Sequence, residues 1–62
     1  MREPRLGDVV ISKWREGLGR VDIVTTFEGV VVIGVRFPGV QTREFYATNQ
    51  LEWDREYWRV KQ

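Results

Sequence analysis

Apolar and polar residues alternate most regularly in the middle of the chain, on either side of a glycine. The stretch from Arg20 to Thr26 alternates with the period of a half-buried strand, and Val21 and Ile23 are expected to point inward. The segment Phe27-Glu28-Gly29 predicts a reversal, because glycine adopts positive φ without steric penalty. The return stretch is the most β-prone of the chain and places four apolar residues on one face: Val31, Ile33, Val35 and Phe37. Gly34 lies on the other face, where it favours a bulge or the sharp coiling that closes a small barrel.

The segments before this hairpin are shorter. Residues 1–6 are interpreted as a flexible lead-in, because Pro4 opposes regular structure. Val9, Val10 and Ile11 are continuously apolar, which predicts a strand covered on both faces at a barrel edge. Lys13 to Leu18 is polar and predicts a loop.

The segments after the hairpin predict two further strands. Pro38-Gly39 is a turn signal, and the alternation from Gln41 to Ala47 predicts a strand with Phe45 and Ala47 toward the core or rim and Glu44 and Tyr46 outward. Thr48-Asn49-Gln50 is typical of a tight turn, such as one turn of 3₁₀-helix, that would bring Leu51 into the core. Within Glu52–Lys61 a last strand is favoured, and a short helix beginning at Asp54 is the alternative.

Composition limits the chemistry that the chain can perform. Its 62 residues predict one domain, residues 1–62, with a small core, and they include no Cys and no His. Disulfides, Cys/His zinc sites, thiol nucleophiles and imidazole bases are therefore excluded. Asp22 and Glu44 could approach each other across strands as a carboxylate pair for acid–base catalysis. Their outward strand positions instead indicate ordinary solvent-facing charges. We expect no enzymatic activity, no metal and no cofactor.

Charge and hydropathy say little about partners. Ten basic and nine acidic residues give a formal net charge of +1, which does not by itself indicate a nucleic-acid ligand. Arginine dominates the cations, and its guanidinium suits contacts with carboxylate, phosphate and aromatic rings. The longest apolar stretch, Val30–Ile33, is far too short to span a bilayer, and the first residues do not resemble a signal peptide. A cytoplasmic protein without membrane contact is expected.

Five short segments together resemble a known bacterial domain. They are Leu6-Gly7, Ile11-Ser12, Gly17-Leu18-Gly19, Phe37-Pro38 and Glu44-Phe45-Tyr46-Ala47. In this order they resemble the amino-terminal Tudor-like domain of the bacterial RNA polymerase-associated SWI2/SNF2 ATPase. Phe37-Pro38-Gly39-Val40, followed by Ala47 and Leu51-Glu52, is also similar to the carboxy-terminal Tudor domain of UvrD and PcrA helicases. The resemblance implies an all-β, five-stranded antiparallel SH3-like or Tudor-like barrel.

The same resemblance implies a function in docking. In those families the domain contacts or helps to anchor RNA polymerase, so we expect a non-catalytic module that binds RNA polymerase or an associated factor in transcription or DNA repair. Two weaker similarities give alternatives. Val35-Arg36-Phe37 and Ala47-Thr48-Asn49 resemble the SH3-like subunit of photosystem I, which implies a small structural subunit of a larger complex as an alternative function. Gly19–Val24 resembles KOW-type modules. The oligomeric state stays open, because a barrel with open edge strands can pair with itself.

The expected contact surface combines arginine with aromatic residues. Trp14 lies in a loop between Lys13 and Arg15, with no strand period to bury it, whereas Trp53 and Phe27 are expected to close the barrel ends. The predicted partner-binding residues are Trp14, Arg15, Arg20, Arg36, Arg43 and Tyr46. Stacking beside cations also suits a nucleic acid, but the interleaved acidic residues weaken that interaction, so weak nucleic-acid binding is the alternative function.

Overall fold

Six short strands and one 3₁₀ turn make up the computed structural model, which describes residues 2–61. They are β1 (Val9–Ile11), β2 (Gly19–Phe27), β3 (Val30–Arg36), β4 (Glu44–Ala47), the 3₁₀ turn (Thr48–Gln50), β5 (Leu51–Trp53) and β6 (Trp58–Val60). All six belong to one sheet in the order β4-β3-β2-β1-β6-β5. The sheet curls into a half-barrel. The all-β prediction is confirmed, but the sheet has six strands instead of five and the barrel is only partly closed.

The sixth strand arises from a reversal near the end of the chain. Asp54 N–H donates to the Tyr57 carbonyl at 2.8 Å, and Arg55 adopts a positive φ of 65°. This turn brings Trp58 opposite Trp53 in an antiparallel pair. The stretch predicted as one strand or a short helix is therefore a hairpin of β5 and β6. The turn contains no glycine or proline that would have predicted it.

Strand β1 occupies the interior of the sheet. It pairs antiparallel with β2 and parallel with β6, through Val10↔Trp58 and Ile11↔Arg59. The prediction of a purely antiparallel sheet with β1 at an edge was wrong, because the reversal at residues 54–57 sends β6 back alongside β1. The edges are β4 and β5, and the gap between them leaves the barrel incomplete.

The long hairpin of β2 and β3 closes through a two-residue turn. Phe27 pairs with Val30, and Glu28 and Gly29 both have positive φ, 51° and 80°, as a type I′ turn requires. Further along, the register shifts between Val21 and Ile23, opposite Gly34. The bulge favoured by Gly34 is confirmed. It also corrects the prediction for Ile23, which pairs with Gly34 and faces away from the core.

The core lies on the concave face of the sheet. Its members are Val10, Val21, Ile33, Val35, Phe37, Leu51, Trp58 and Val60. The face predicted for β3 is confirmed by the burial of Ile33, Val35 and Phe37, and the 3₁₀ turn delivers Leu51 to the core as expected. Gly19 is closely packed here, because a Cβ on it would lie 2.6 Å from Val35 Cγ1 and 2.7 Å from Phe37 Cε1.

Strand β4 presents its faces in the opposite sense to the prediction. Tyr46 pairs with Ile33 and packs against the core, whereas Phe45 pairs with Gly34 and is 56% exposed. The strand begins only at Glu44, after an irregular stretch, so its phase is set by pairing with β3 and not by alternation from Gln41 onward.

Within the lead-in Pro4 is buried, and the backbone first bonds to the sheet just after it. Gly7 N–H donates to the Val21 carbonyl at 2.8 Å. Residues 2–6 thus have a defined course in the structure, and their flexibility stays a prediction. No helix within residues 2–61 is long and apolar enough to cross a membrane.

Candidate docking surface

The convex face of the sheet, opposite the core, carries a group of apolar side chains. The register places them together on β2, β3 and β4: Ile23, Phe27, Val30, Val32 and Phe45. We call these five residues the outer apolar patch. Phe27 is 67% exposed and Phe45 56% exposed, and Val30 is also exposed. The expectation that Phe27 closes a barrel end was wrong, because Phe27 ends β2 at the tip of the hairpin and its side chain is exposed to solvent.

Three arginines lie beside this patch on the same face. Arg20 and Arg36 are direct cross-strand partners on β2 and β3, and Arg43 precedes β4. Asp22 accepts two hydrogen bonds from Arg43, at 2.8 and 2.9 Å. It also forms an ion pair with Arg36 at 3.4 Å. Arg20 Nη1 instead donates to the Gly7 carbonyl at 3.0 Å. We call Arg20, Asp22, Arg36 and Arg43 the arginine cluster.

The bulge and Gly34 together position this cluster. A Cβ on Gly34 would lie 2.6 Å from Arg43 Cδ and 3.2 Å from Ile23 Cβ, so the absence of a side chain lets Arg43 cross β3 toward Asp22. Hydrogen bonds from Arg43, with the charges of Arg43 and Arg36, hold the pKa of Asp22 below its usual value. The cluster therefore keeps one ionised carboxylate among three guanidinium groups at neutral pH.

A second polar group lies on the other face of β4. Arg15 Nε donates to Glu44 Oε2 at 2.7 Å, and Tyr46 Oη donates to Glu44 Oε1 at 2.7 Å. Hydrogen bonds from Arg15 and Tyr46 lower the pKa of Glu44. Burial, reinforced by the hydrogen bond to Glu44, raises the pKa of Tyr46 to about 12. Arg15 and Tyr46 are thus held by Glu44.

The loop after β1 exposes Trp14. Its side chain is 59% exposed, and Lys13 Nζ lies 5.0 Å from the centroid of its ring. Ser12 is buried and shapes the start of the loop, because its hydroxyl accepts from Trp14 N–H at 3.1 Å and its carbonyl from Arg15 N–H at 3.2 Å. The expectation that the loop leaves Trp14 unburied is confirmed.

The six predicted contact residues therefore fall into separate groups. Arg20, Arg36 and Arg43 lie together on the convex face, whereas Arg15 and Tyr46 meet at Glu44 on the concave face and Trp14 lies in the loop. Tyr46 does not face outward as predicted. Asp22 and Glu44 lie on opposite faces and do not form a carboxylate pair. Within residues 2–61, no three Asp or Glu side chains cluster so that they could hold a metal ion.

Two features of the surface were not predicted from the sequence. The outer apolar patch was missed because the bulge and the phase of β4 decide which side chains it contains. An exposed apolar residue at a hairpin tip, Phe27 before Glu28-Gly29, was the one available signal.

The second feature joins the lead-in to the last hairpin. Asp8 Oδ1 accepts from Arg2 Nη2 at 3.0 Å, and Asp8 Oδ2 accepts from Trp58 Nε1 at 3.0 Å. The Arg2 guanidinium lies 4.2 Å from the centroid of the Trp53 ring. A cavity of about 550 Å³ adjoins this network, lined among others by Arg2, Pro4, Leu51 and Trp58. These contacts span nearly the whole chain, so no local pattern announces them.

Comparison of the chain with protein-family models, with curated proteins and with solved structures finds no match.

Proposed function

We propose that this chain is a non-catalytic interaction module with an SH3-like or Tudor-like fold that docks onto a protein of the transcription or DNA-repair machinery, with RNA polymerase as the first candidate. The observation that carries the proposal is the outer apolar patch beside the arginine cluster. The resemblance of the chain to polymerase-associated Tudor-like domains supports the choice of partner. Such a partner places the protein in the cytoplasm.

The patch has the composition of a protein-binding surface. Aromatic and arginine side chains dominate the energetically important positions of protein interfaces, and exposed apolar side chains gain most when a partner removes them from water. Phe45 and Phe27 offer the largest apolar area on this face, and neither is needed to complete the core. Both phenylalanine side chains are therefore available to a partner.

The arginine cluster indicates the chemistry of the partner. Two guanidinium groups pair with Asp22 and the third, of Arg20, bonds to the Gly7 carbonyl, so the cluster carries an excess of positive charge. A partner segment that combines apolar side chains with Asp or Glu would cover the patch and pair with the arginines at its rim. Charge pairs of this kind mainly set specificity and association rate.

Nucleic-acid binding is the second candidate, because the same three arginines share one face. Phosphate binding depends on cations that are free to replace counterions. Here Arg43 and Arg36 already pair with Asp22, and Arg15 with Glu44. This internal pairing weakens charge contacts with either kind of partner, so the outer apolar patch, which a phosphate backbone cannot cover, favours a protein.

One titration series separates the two candidates. The isotope-labelled chain is titrated with RNA polymerase core enzyme and, separately, with a short DNA duplex, at low salt and at about 0.2 M salt. The proposal predicts loss of amide signals on β2, β3 and β4 with polymerase at both salts. Shifts that occur only with DNA, and that disappear at the higher salt, would replace it with the nucleic-acid function.

A further inference from the structure

Arg2 of the lead-in lies between Asp8 and the two tryptophans of the last hairpin. The Trp53 ring provides the face over which the Arg2 guanidinium lies, at 4.2 Å, and the Asp8 carboxylate pairs with that guanidinium at 3.0 Å. Trp58 lies 5.1 Å from Trp53, centroid to centroid, and fixes the other oxygen of Asp8 through its indole N–H. An aromatic face beside a carboxylate binds a guanidinium by cation–π attraction and charge-assisted hydrogen bonds.

The Asp8 carboxylate is held in its charged form. Partial burial by itself raises the pKa of Asp8, but hydrogen bonds from Trp58 and from the Arg5 N–H, together with the charge of Arg2, bring the net pKa below its usual value. The Asp8 side chain is only 14% exposed. Arg2 supplies the cation that pairs with this partly buried anion.

The hold on Arg2 is incomplete. Arg2 Nε is buried without a hydrogen-bond partner among residues 2–61. No backbone hydrogen bond in the same range ties Arg2, Glu3 or Pro4 to a strand, and the first such bond to the sheet is made by Gly7. The cavity of about 550 Å³ beside Arg2 gives a second chain room to approach, and two of its lining residues, Glu3 and Glu52, are acidic.

We propose that Trp53, Asp8 and Trp58 form a binding site for an arginine side chain of a partner protein, and that Arg2 occupies this site in cis. An incoming arginine takes the position of the Arg2 guanidinium over Trp53, and the lead-in is released. The site is separate from the outer apolar patch and does not depend on the function proposed for that patch. Its ligand is a guanidinium group, because both the carboxylate and the ring face complement a planar cation.

The test uses Arg2→Ala in the full chain, with two small probes. N-acetyl-L-argininamide carries the guanidinium, and N-acetyl-L-citrullinamide is its uncharged isostere. Binding is followed by the NMR signal of the Trp58 indole N–H. We expect a saturable shift in Arg2→Ala with the arginine probe, and binding at least about tenfold weaker with the citrulline probe, because the charge-assisted bond and the cation–π contact are lost. The wild-type chain should respond more weakly, because Arg2 competes.

Lys13→Ala is the matched control. It also removes a cation from above a tryptophan, Trp14, but this contact involves no carboxylate. In Lys13→Ala the arginine probe should not bind over the Trp14 ring. The double variant Arg2→Ala with Asp8→Asn should lose the shift of the Trp58 indole N–H signal with the arginine probe.

The stability of the variant provides a second readout. If Arg2→Ala is too unstable for titration at room temperature, the arginine probe should raise its melting temperature and the citrulline probe should not, because a ligand of the folded state stabilises that state. A variant that shows neither a saturable shift nor a rise in melting temperature would overturn the proposal and leave Arg2 as a structural contact only. Equal responses in Arg2→Ala and Lys13→Ala would overturn it too.

Discussion

Tyr46 donates a hydrogen bond to Glu44 at 2.7 Å, and both side chains lie on the concave side of the edge strand β4. Arg15 binds the other oxygen of the same carboxylate. The three side chains link the loop after β1 to the edge of the sheet. This link supports the register that pairing with β3 sets for the short edge strand β4.

The Tyr46 hydroxyl should make stability depend on alkaline pH. Burial and the bond to Glu44 raise its pKa to about 12 in the folded state, above the ordinary value of 10.0. A raised folded-state pKa contributes stability that is complete below pH 10 and is lost as the pH rises toward 12. Between these values we expect the wild type to lose about 1–2 kcal/mol more than Tyr46→Phe, after allowance for solvent screening. Urea unfolding at several pH values measures this, and parallel curves for the two proteins would refute the assignment.

Truncation of Ile33 should destabilise the protein much more than truncation of Phe45. Ile33 is fully buried, so Ile33→Ala should lower the free energy of unfolding by about 2–5 kcal/mol, whereas the exposed Phe45→Ala should change it by less than about 0.5 kcal/mol. Thermal or urea unfolding of the two variants measures the difference. A large loss from Phe45→Ala would mean that β4 presents its other face to the core.

Two tryptophans make a similar comparison. Trp58 is 4% exposed and Trp14 59% exposed. Trp58→Ala should cost about 3–5 kcal/mol, enough to unfold much of so small a domain, and Trp14→Ala should leave the melting temperature nearly unchanged. Calorimetry of both variants provides the test. Strong destabilisation by Trp14→Ala would show that the loop after β1 packs over the core.

Gly19 and Gly34 should tolerate alanine to different extents. A Cβ on Gly19 meets Val35 and Phe37 in the core, and the expected cost of overpacking is about 1–3 kcal/mol. On Gly34 it lies 2.6 Å from Cδ of the flexible Arg43 side chain and 3.2 Å from Ile23 Cβ, so Gly34→Ala should displace Arg43 from Asp22 at a smaller cost of about 1 kcal/mol. Urea unfolding ranks the two variants. The reverse ranking would contradict the described packing.

The sequence was sufficient to predict the parts of the fold that depend on local chemistry. Gly29 at the hairpin turn, Gly34 opposite the bulge, the alternation of β3 and the turn before Leu51 were all readable from neighbouring residues. The reversal at Gly29, for instance, was predicted from a glycine between two β-prone stretches, whereas its type I′ geometry, with Glu28 also at positive φ, was not. These elements account for the central hairpin and most of the core.

The rest depends on contacts between distant residues. The phase of β4 is set by pairing with β3, and the parallel pairing of β1 with β6 follows from a turn at Asp54–Tyr57 that lacks glycine and proline. The predicted contact arginines fall into two groups for the same reason. Glu44 and Asp22 lie on opposite faces of the sheet, and each pairs with arginines on its own face. The Arg2–Asp8–Trp58 network joins both ends of the chain, which no local pattern can predict.

The central claim, that the outer apolar patch docks onto a protein, is tested most directly by measuring binding to RNA polymerase core enzyme with a matched pair of variants. Phe45→Ser removes an exposed aromatic residue from the patch, and Leu18→Ser removes an apolar residue of similar exposure, 54%, from the loop after β1. Fluorescence anisotropy of the labelled chain gives the dissociation constants. We predict that Phe45→Ser weakens binding at least about tenfold, as expected for an interface hot spot, and that Leu18→Ser leaves it unchanged. Wild-type binding that survives Phe45→Ser intact, or no binding of the wild type at all, would contradict the claim.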